Sequence, residues 1–182
     1  MRAGGKFEVR ADFLFLRLLV KNEVVDVKND LSIAKREGDP EPYGYDRKTA
    51  NINFRIKADG SRMKATNDLR KLFNFPIFDG KQWTDTTSGI PGQTRMGQQQ
   101  EATFFIGFNV EGIEDVTTAA GTFKTYKIRH TLKNMKVRKN RNGWILFWYS
   151  PEAKWRMKQE VEKSSFWPLG RLDAELVSYE LK

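Results

Sequence analysis

The chain has no cysteine and a single histidine among its 182 residues. Without thiols there is no disulfide framework, no thiolate nucleophile and no Cys-based metal site. Zinc takes three or four N, S or O ligands, so one imidazole makes a zinc centre a poor expectation. No run approaches the roughly 20 consecutive apolar residues of a membrane-spanning helix. The most apolar early stretch, Phe7 to Val20, is interrupted by Arg10, Asp12 and Arg17. The same charges exclude a signal-peptide core there, and Met1 to Gly5 is too short to be a targeting segment. The chain therefore reads either as cytosolic or as the mature form of a periplasmic or otherwise exported protein, without its leader. Also missing are the Gly-x-Ser-x-Gly, P-loop and dinucleotide-binding fingerprints. Gly89-Ile90-Pro91-Gly92 reads as a loop, and Ser150 has no visible His and Asp partners.

Little is left from which to build catalysis. General acid–base chemistry leaves histidine or paired carboxylates in convergent positions. His130 falls on the apolar side of an alternating segment, beside Tyr126 and Ile128, and reads as a core residue. Glu111, Glu114 and Asp115 could offer oxygens to calcium, but their spacing fits no EF-hand loop and they read as a solvated acidic turn. No catalytic residue, cofactor or metal is expected, and the chain reads as a non-enzyme.

What the sequence has in quantity is rings and positive charge. Aromatic residues make up 13% of it, including 13 Phe and 5 Trp, and the formal net charge is +9. Rings favour strands and fill a sheet-packed core with few side chains. The densest positive patch is Lys133, Lys136, Arg138, Lys139 and Arg141, read as a hairpin tip. Its like charges discourage edge-to-edge aggregation, and it is also a candidate seat for an anionic polymer such as nucleic acid or lipopolysaccharide. Nucleic acid is disfavoured, because few aromatics interleave with these cations.

Alternation with a period of two dominates the chain. It marks strands at Phe7–Phe15, Ile52–Ile56, Thr103–Glu111, Phe123–Leu132, Trp144–Tyr149, Trp155–Glu162 and Asp173–Leu181, with Glu23–Lys28 as a partner after a turn near Lys21-Asn22. From Leu14 to Val20 both faces are apolar, so cover on both sides is expected. Asp59-Gly60 is a strong hairpin signal. Ala120-Gly121 supplies a tight reversal, and Pro151 ends a strand by removing a donor. Asp39 to Gly44 carries loop chemistry. Residues 67–100 read as an irregular connection between two hairpin-rich halves, with room for one helical turn at Asp68–Phe73. The expectation is a single all-β domain over 1–182. It is an antiparallel meander curled into a barrel, half-barrel or β-roll, with at most one short helix.

Four blocks carry a family resemblance. They are Phe75-Pro76 through Asp79-Gly80-Lys81-Gln82-Trp83; Glu114-Asp115-Val116-Thr117 leading into Ala120 to Ile128; Trp148-Tyr149-Ser150-Pro151-Glu152; and Glu175-Leu176-Val177-Ser178-Tyr179. Their order and spacing resemble an uncharacterised family of bacterial exported proteins, a domain of unknown function. Ala119 departs from the proline that often precedes Ala-Gly in that pattern. The resemblance implies an envelope location and a strongly bent antiparallel sheet, distantly similar to lipoprotein carriers of the LolA/LolB kind. It supplies no catalytic or binding residues.

An incompletely closed sheet with this many rings can enclose an apolar cavity. The expected function is binding of a lipid or other amphipathic ligand, or of an envelope protein partner. Phe104, Ile106, Phe108, Tyr126, Ile128, Trp144, Trp148 and Trp155 are the residues expected to line the interior.

Overall fold

In the computed structural model the alternating segments become twelve strands, and the structure describes residues 4–13, 16–28, 30–46, 52–64, 73–93, 99–134, 142–161 and 172–180. The strands are β1 (Lys6–Phe13), β2 (Leu16–Lys28), β3 (Leu31–Arg36), β4 (Tyr43–Asp46), β5 (Ile52–Ile56), β6 (Arg62–Lys64), β7 (Gln82–Gln93), β8 (Gln99–Thr118), β9 (Gly121–Asn134), β10 (Asn142–Ser150), β11 (Trp155–Val161) and β12 (Leu172–Glu180). Among the described residues there is no helix.

All twelve strands belong to one antiparallel sheet, ordered β6-β5-β4-β3-β2-β1-β12-β11-β10-β9-β8-β7. The chain starts in the middle of the sheet. It walks outward to the β6 edge, crosses to the β7 edge, and walks back until β12 pairs with β1. The sheet is open, since β6 and β7 do not pair. Of the three closures expected from the sequence, the half-barrel is the one found.

The local turn signals work where a loop residue is chemically special. Asp59 and Gly60 close the β5–β6 hairpin: Gly60 has φ +79°, and the Ser61 N–H bonds to Asp59 Oδ1 at 2.8 Å. Thr118 pairs with Gly121 across the β8–β9 reversal, where Gly121 takes φ +127°. There the Thr118 hydroxyl accepts the Ala120 N–H at 3.2 Å. β10 stops at Ser150, immediately before Pro151.

Three sequence expectations are corrected. The chain does not turn at Lys21-Asn22, which pair with Glu8 and Phe7 in mid-ladder; it reverses between Phe13 and Leu16. Cover on both faces of the β2 start also fails, since Leu18 and Leu19 are 42% and 51% exposed. Residues 67–100 are not irregular throughout, because β7 spans Gln82–Gln93 and pairs with β8. Its Thr-, Gly- and Pro-rich composition suits a sheet edge, where Pro91 need not donate to a second neighbour. The helical turn expected at Asp68–Phe73 lies outside the described residues, apart from Phe73.

Ladder slips at Glu8/Val9, Val24/Asp26, Gly44/Tyr45, Val110/Gly112 and Trp148/Tyr149 spread bends across the sheet. Each bulge adds local twist and curvature. The result is a concave face whose rings meet across strands that are not neighbours. Phe123 on β9 contacts Tyr179 on β12 with centroids 5.5 Å apart. With Phe7, Val24, Met157 and Leu176 it forms one buried cluster.

Candidate functional site

The concave face divides into a filled half and an open half. In the filled half a ladder of rings crosses β7 to β10. Trp83 stacks on Phe108 at 4.8 Å, Phe108 on His130 at 4.7 Å, and His130 on Phe147 at 5.9 Å. Register places these residues side by side, because Trp83 pairs with Phe108 and Phe108 with His130. His130 is fully buried between the two Phe rings, in the core position expected of it. Phe73 and Phe75, in the segment before β7, close over Tyr149 at 4.5 Å and 5.6 Å. The Lys81 ammonium fixes that segment by donating to the carbonyls of Asn74 and Pro76 at 2.5 Å and 2.7 Å.

The open half lies where β1 to β5 face β11 and β12. It holds a cavity of about 490 Å³, within the size range of small-ligand pockets. Val9, Ala11, Val20, Ile52 and Ala174 supply an apolar lining, and Tyr43, Tyr45 and Trp155 supply rings. Trp155 packs on Phe7 at 4.2 Å and meets Tyr45 edge-on at 5.7 Å. Ala34 pairs with Tyr43, and Asn22 with Arg36. That register puts Tyr43 and Arg36 on the same face as the apolar lining.

A polar network holds Tyr43 at the cavity mouth. Arg55 Nη2 donates to the Tyr43 hydroxyl at 2.5 Å, and that hydroxyl donates to Asp39 Oδ2 at 2.7 Å. The Glu41 N–H donates to Asp39 Oδ1 at 3.0 Å, and the Glu41 carboxylate stands 3.8 Å from Arg55. The guanidinium carbons of Arg55 and Arg36 approach the Tyr43 ring to 4.5 Å and 5.5 Å from its centroid. Burial, helped by the bond to Asp39, pushes the Tyr43 phenol up to about 12. The Tyr43 hydroxyl, followed by the Glu41 N–H, holds Asp39 below its usual value.

Not every charge around the cavity points into it. Glu175 is tied to Arg10, and Lys158 to Glu160 at 2.7 Å over the Trp148 ring. By strand alternation these belong to the opposite face of the sheet from Val9 and Ala174. Arg156 does turn toward the concave side, donating to Gln159 Oε1 at 3.0 Å and lying over Phe147 at 5.5 Å. The cavity is therefore addressed by three guanidinium groups, those of Arg36, Arg55 and Arg156.

Of the seven residues expected to line an interior whose side chains are described, Trp155 alone borders this cavity. Ile106, Phe108 and Ile128 are fully packed core, and Tyr126 packs partly buried against the Ile128 cluster. Trp144 and Trp148 belong to another cluster with Val116 and Leu146. There Arg129 lies over Trp144 at 5.1 Å, and Trp148 Nε1 donates to Glu114 Oε1 at 2.5 Å. The side chain of Phe104 lies outside the described residues. So do the side chain of Lys133 and the whole of Lys136, Arg138, Lys139 and Arg141.

The acidic turn expected at Glu111, Glu114 and Asp115 is instead part of β8. Glu111 pairs with Arg129, and Glu114 accepts from Trp148 with Lys127 4.0 Å away. Among the described residues no group of His, Cys, Asp or Glu could hold a metal ion. The described residues include no helix long and apolar enough to cross a membrane.

No family model matches the sequence, and no curated protein does. A solved structure does share the fold. The chain superimposes on the hypothetical lipoprotein YmcC from Escherichia coli (K12) with a TM-score of 0.53 at 13% identity, covering 97% of this chain and 88% of that one. A putative exported protein with a YmcC-like fold from Bacteroides fragilis gives a TM-score of 0.49 at 13% identity, over 99% and 97% of the two chains. At such identities the likeness concerns the fold.

Proposed function

We propose that this chain is a non-enzymatic protein of the bacterial envelope that binds an amphipathic ligand in the cavity between β1–β5 and β11–β12. The cavity carries the reading: an open recess lined by rings and aliphatic groups together with Asn22, Gln159 and guanidinium groups suits a molecule with one apolar and one polar end. The envelope location is supported by the likeness to a fold whose Escherichia coli example is described as a hypothetical lipoprotein, and by the four sequence blocks. The described residues offer their one imidazole only inside the core, which supports a binding role over catalysis.

Native mass spectrometry of gently purified protein tests the reading, together with uptake of the fluorescent fatty acid 11-(dansylamino)undecanoic acid. A co-purifying lipid mass, or saturable dansyl fluorescence lost on Trp155→Ala, is expected. Absence of both sinks the proposal.

A further inference from the structure

The cavity mouth carries a charge asymmetry that narrows the ligand class. Three guanidinium groups address the cavity, and the nearby carboxylates are already engaged. Asp39 takes the Tyr43 hydroxyl and the Glu41 N–H. Glu41 faces Arg55, and Glu175 is held by Arg10. Arg36 is different. It rests against the Tyr43 ring at 5.5 Å and acts on the Asp39 carboxylate through its charge, the weakest of the influences that lower that group. It stands opposite Asn22 in the β2–β3 ladder, directly over the apolar lining.

Arg55 is held by two contacts, Nη2 to the Tyr43 hydroxyl and Nη1 3.8 Å from Glu41, so beside the less encumbered Arg36 it adds its charge and its remaining N–H donors. A planar guanidinium recognises carboxylate and phosphate oxygens by paired N–H donors. Arg36 is exposed and Arg55 half-buried, so such a contact is made at the water boundary and is open to screening by salt.

We infer that the polar end of the ligand is anionic, a carboxylate or a phosphate monoester, received by Arg36 and Arg55 at the mouth while its apolar part lies against Tyr45 and Trp155. This rests on the carrier reading above and specifies the ligand's charge.

Competition against the dansyl fatty acid tests it, using the unmodified chain. Dodecanoate and dodecyl phosphate are expected to displace the probe at least about tenfold more strongly than dodecanol, the increment of a charge-assisted bond. Arg36→Gln and Arg55→Gln together should weaken the probe by a similar factor. Raised salt should weaken binding of dodecanoate to the unmodified protein, a readout that needs no variant. Dodecanol competing as well as dodecanoate, or affinity unmoved by both salt and the double variant, overturns the anionic assignment and leaves the carrier reading standing. Inorganic phosphate displacing the probe as well as dodecyl phosphate overturns the amphiphile and leaves a bare anion site. A probe that never binds removes the carrier reading itself.

Discussion

The rings of Tyr45 and Trp155 meet edge-on with centroids 5.7 Å apart, although β4 and β11 are separated by five steps in the sheet. On a flat sheet five steps amount to roughly 24 Å. The contact therefore reports the curl directly and forms one wall of the cavity. Trp155→Ala should destabilise the fold by about 3 kcal/mol, the low end for a large aromatic truncated in a core, since Trp155 is only partly buried. A double-mutant cycle with Tyr45→Ala should return a coupling of about 0.5–1.5 kcal/mol. Urea unfolding followed by circular dichroism measures both, and zero coupling would mean the two halves do not close on each other in solution.

Gly44 accepts the Phe54 ring across the β4–β5 ladder so closely that an added Cβ would lie 2.4 Å from Phe54 Cζ. Arg62 covers the other side of that ring at 4.5 Å. Gly44→Ala should thus cost about 1–3 kcal/mol by overpacking. Pairing it with Phe54→Leu should recover part of the loss. An alanine variant as stable as the original in denaturant titration would contradict the packing.

Glu114 Oε1 accepts the Trp148 indole N–H. Glu114→Ala leaves a buried N–H without its acceptor, which should cost about 1–3 kcal/mol. Glu114→Gln keeps an acceptor and should cost distinctly less. Thermal unfolding of both variants, with and without calcium, separates this from metal binding: a calcium-dependent rise in stability would support the metal role.

Two phenols should shape the alkaline limb of stability. Tyr43 and Tyr149 are each pushed from 10.0 to about 12, mainly by burial. The folded chain therefore holds these protons more tightly than the unfolded chain does. The associated stabilisation is complete below about pH 10 and is lost as pH rises toward about 12. Tyr149→Phe should flatten part of that loss. Absorbance titration near 295 nm, alongside urea midpoints over the same range, checks it, and two phenols titrating early would contradict the burial. At the acid end Asp39 is depressed, so its smaller contribution is present above its ordinary value and fades as pH falls through the folded one. Asp39→Asn should remove that component.

How much of this was legible beforehand depends on whether the signal was local. The reversals at Asp59-Gly60 and Ala120-Gly121 and the stop at Pro151 were readable, because a single residue's backbone chemistry forces each one. The reversal between Phe13 and Leu16 was not, since nothing between them advertises a turn; the polar pair Lys21-Asn22 drew the reading there instead. β7 was hidden by composition that an edge strand tolerates. The candidate site was the least visible part. Arg36, Tyr43 and Arg55 come from β3, β4 and β5, and they meet Trp155 only because the sheet bends the halves together. The Tyr43-x-Tyr45 alternation with an arginine on the next strand was the available hint, but no local pattern encodes that bend. Rings in the second half looked like cavity lining because aromatic density is visible in sequence, whereas whether a ring packs or lines is not.

The β1–β12 seam has a consequence for how the molecule is made. Arg10 and Glu175 join across it although 165 residues separate them. Each six-strand walk can assemble from neighbouring hairpins, but β1 keeps a naked hydrogen-bonding side until the last strand arrives. During that interval the unfinished sheet offers a template to any extended chain nearby. The step most exposed to misassembly, and most in need of a chaperone, is thus the final docking of β12 in the middle of the sheet, not the ordering of either edge.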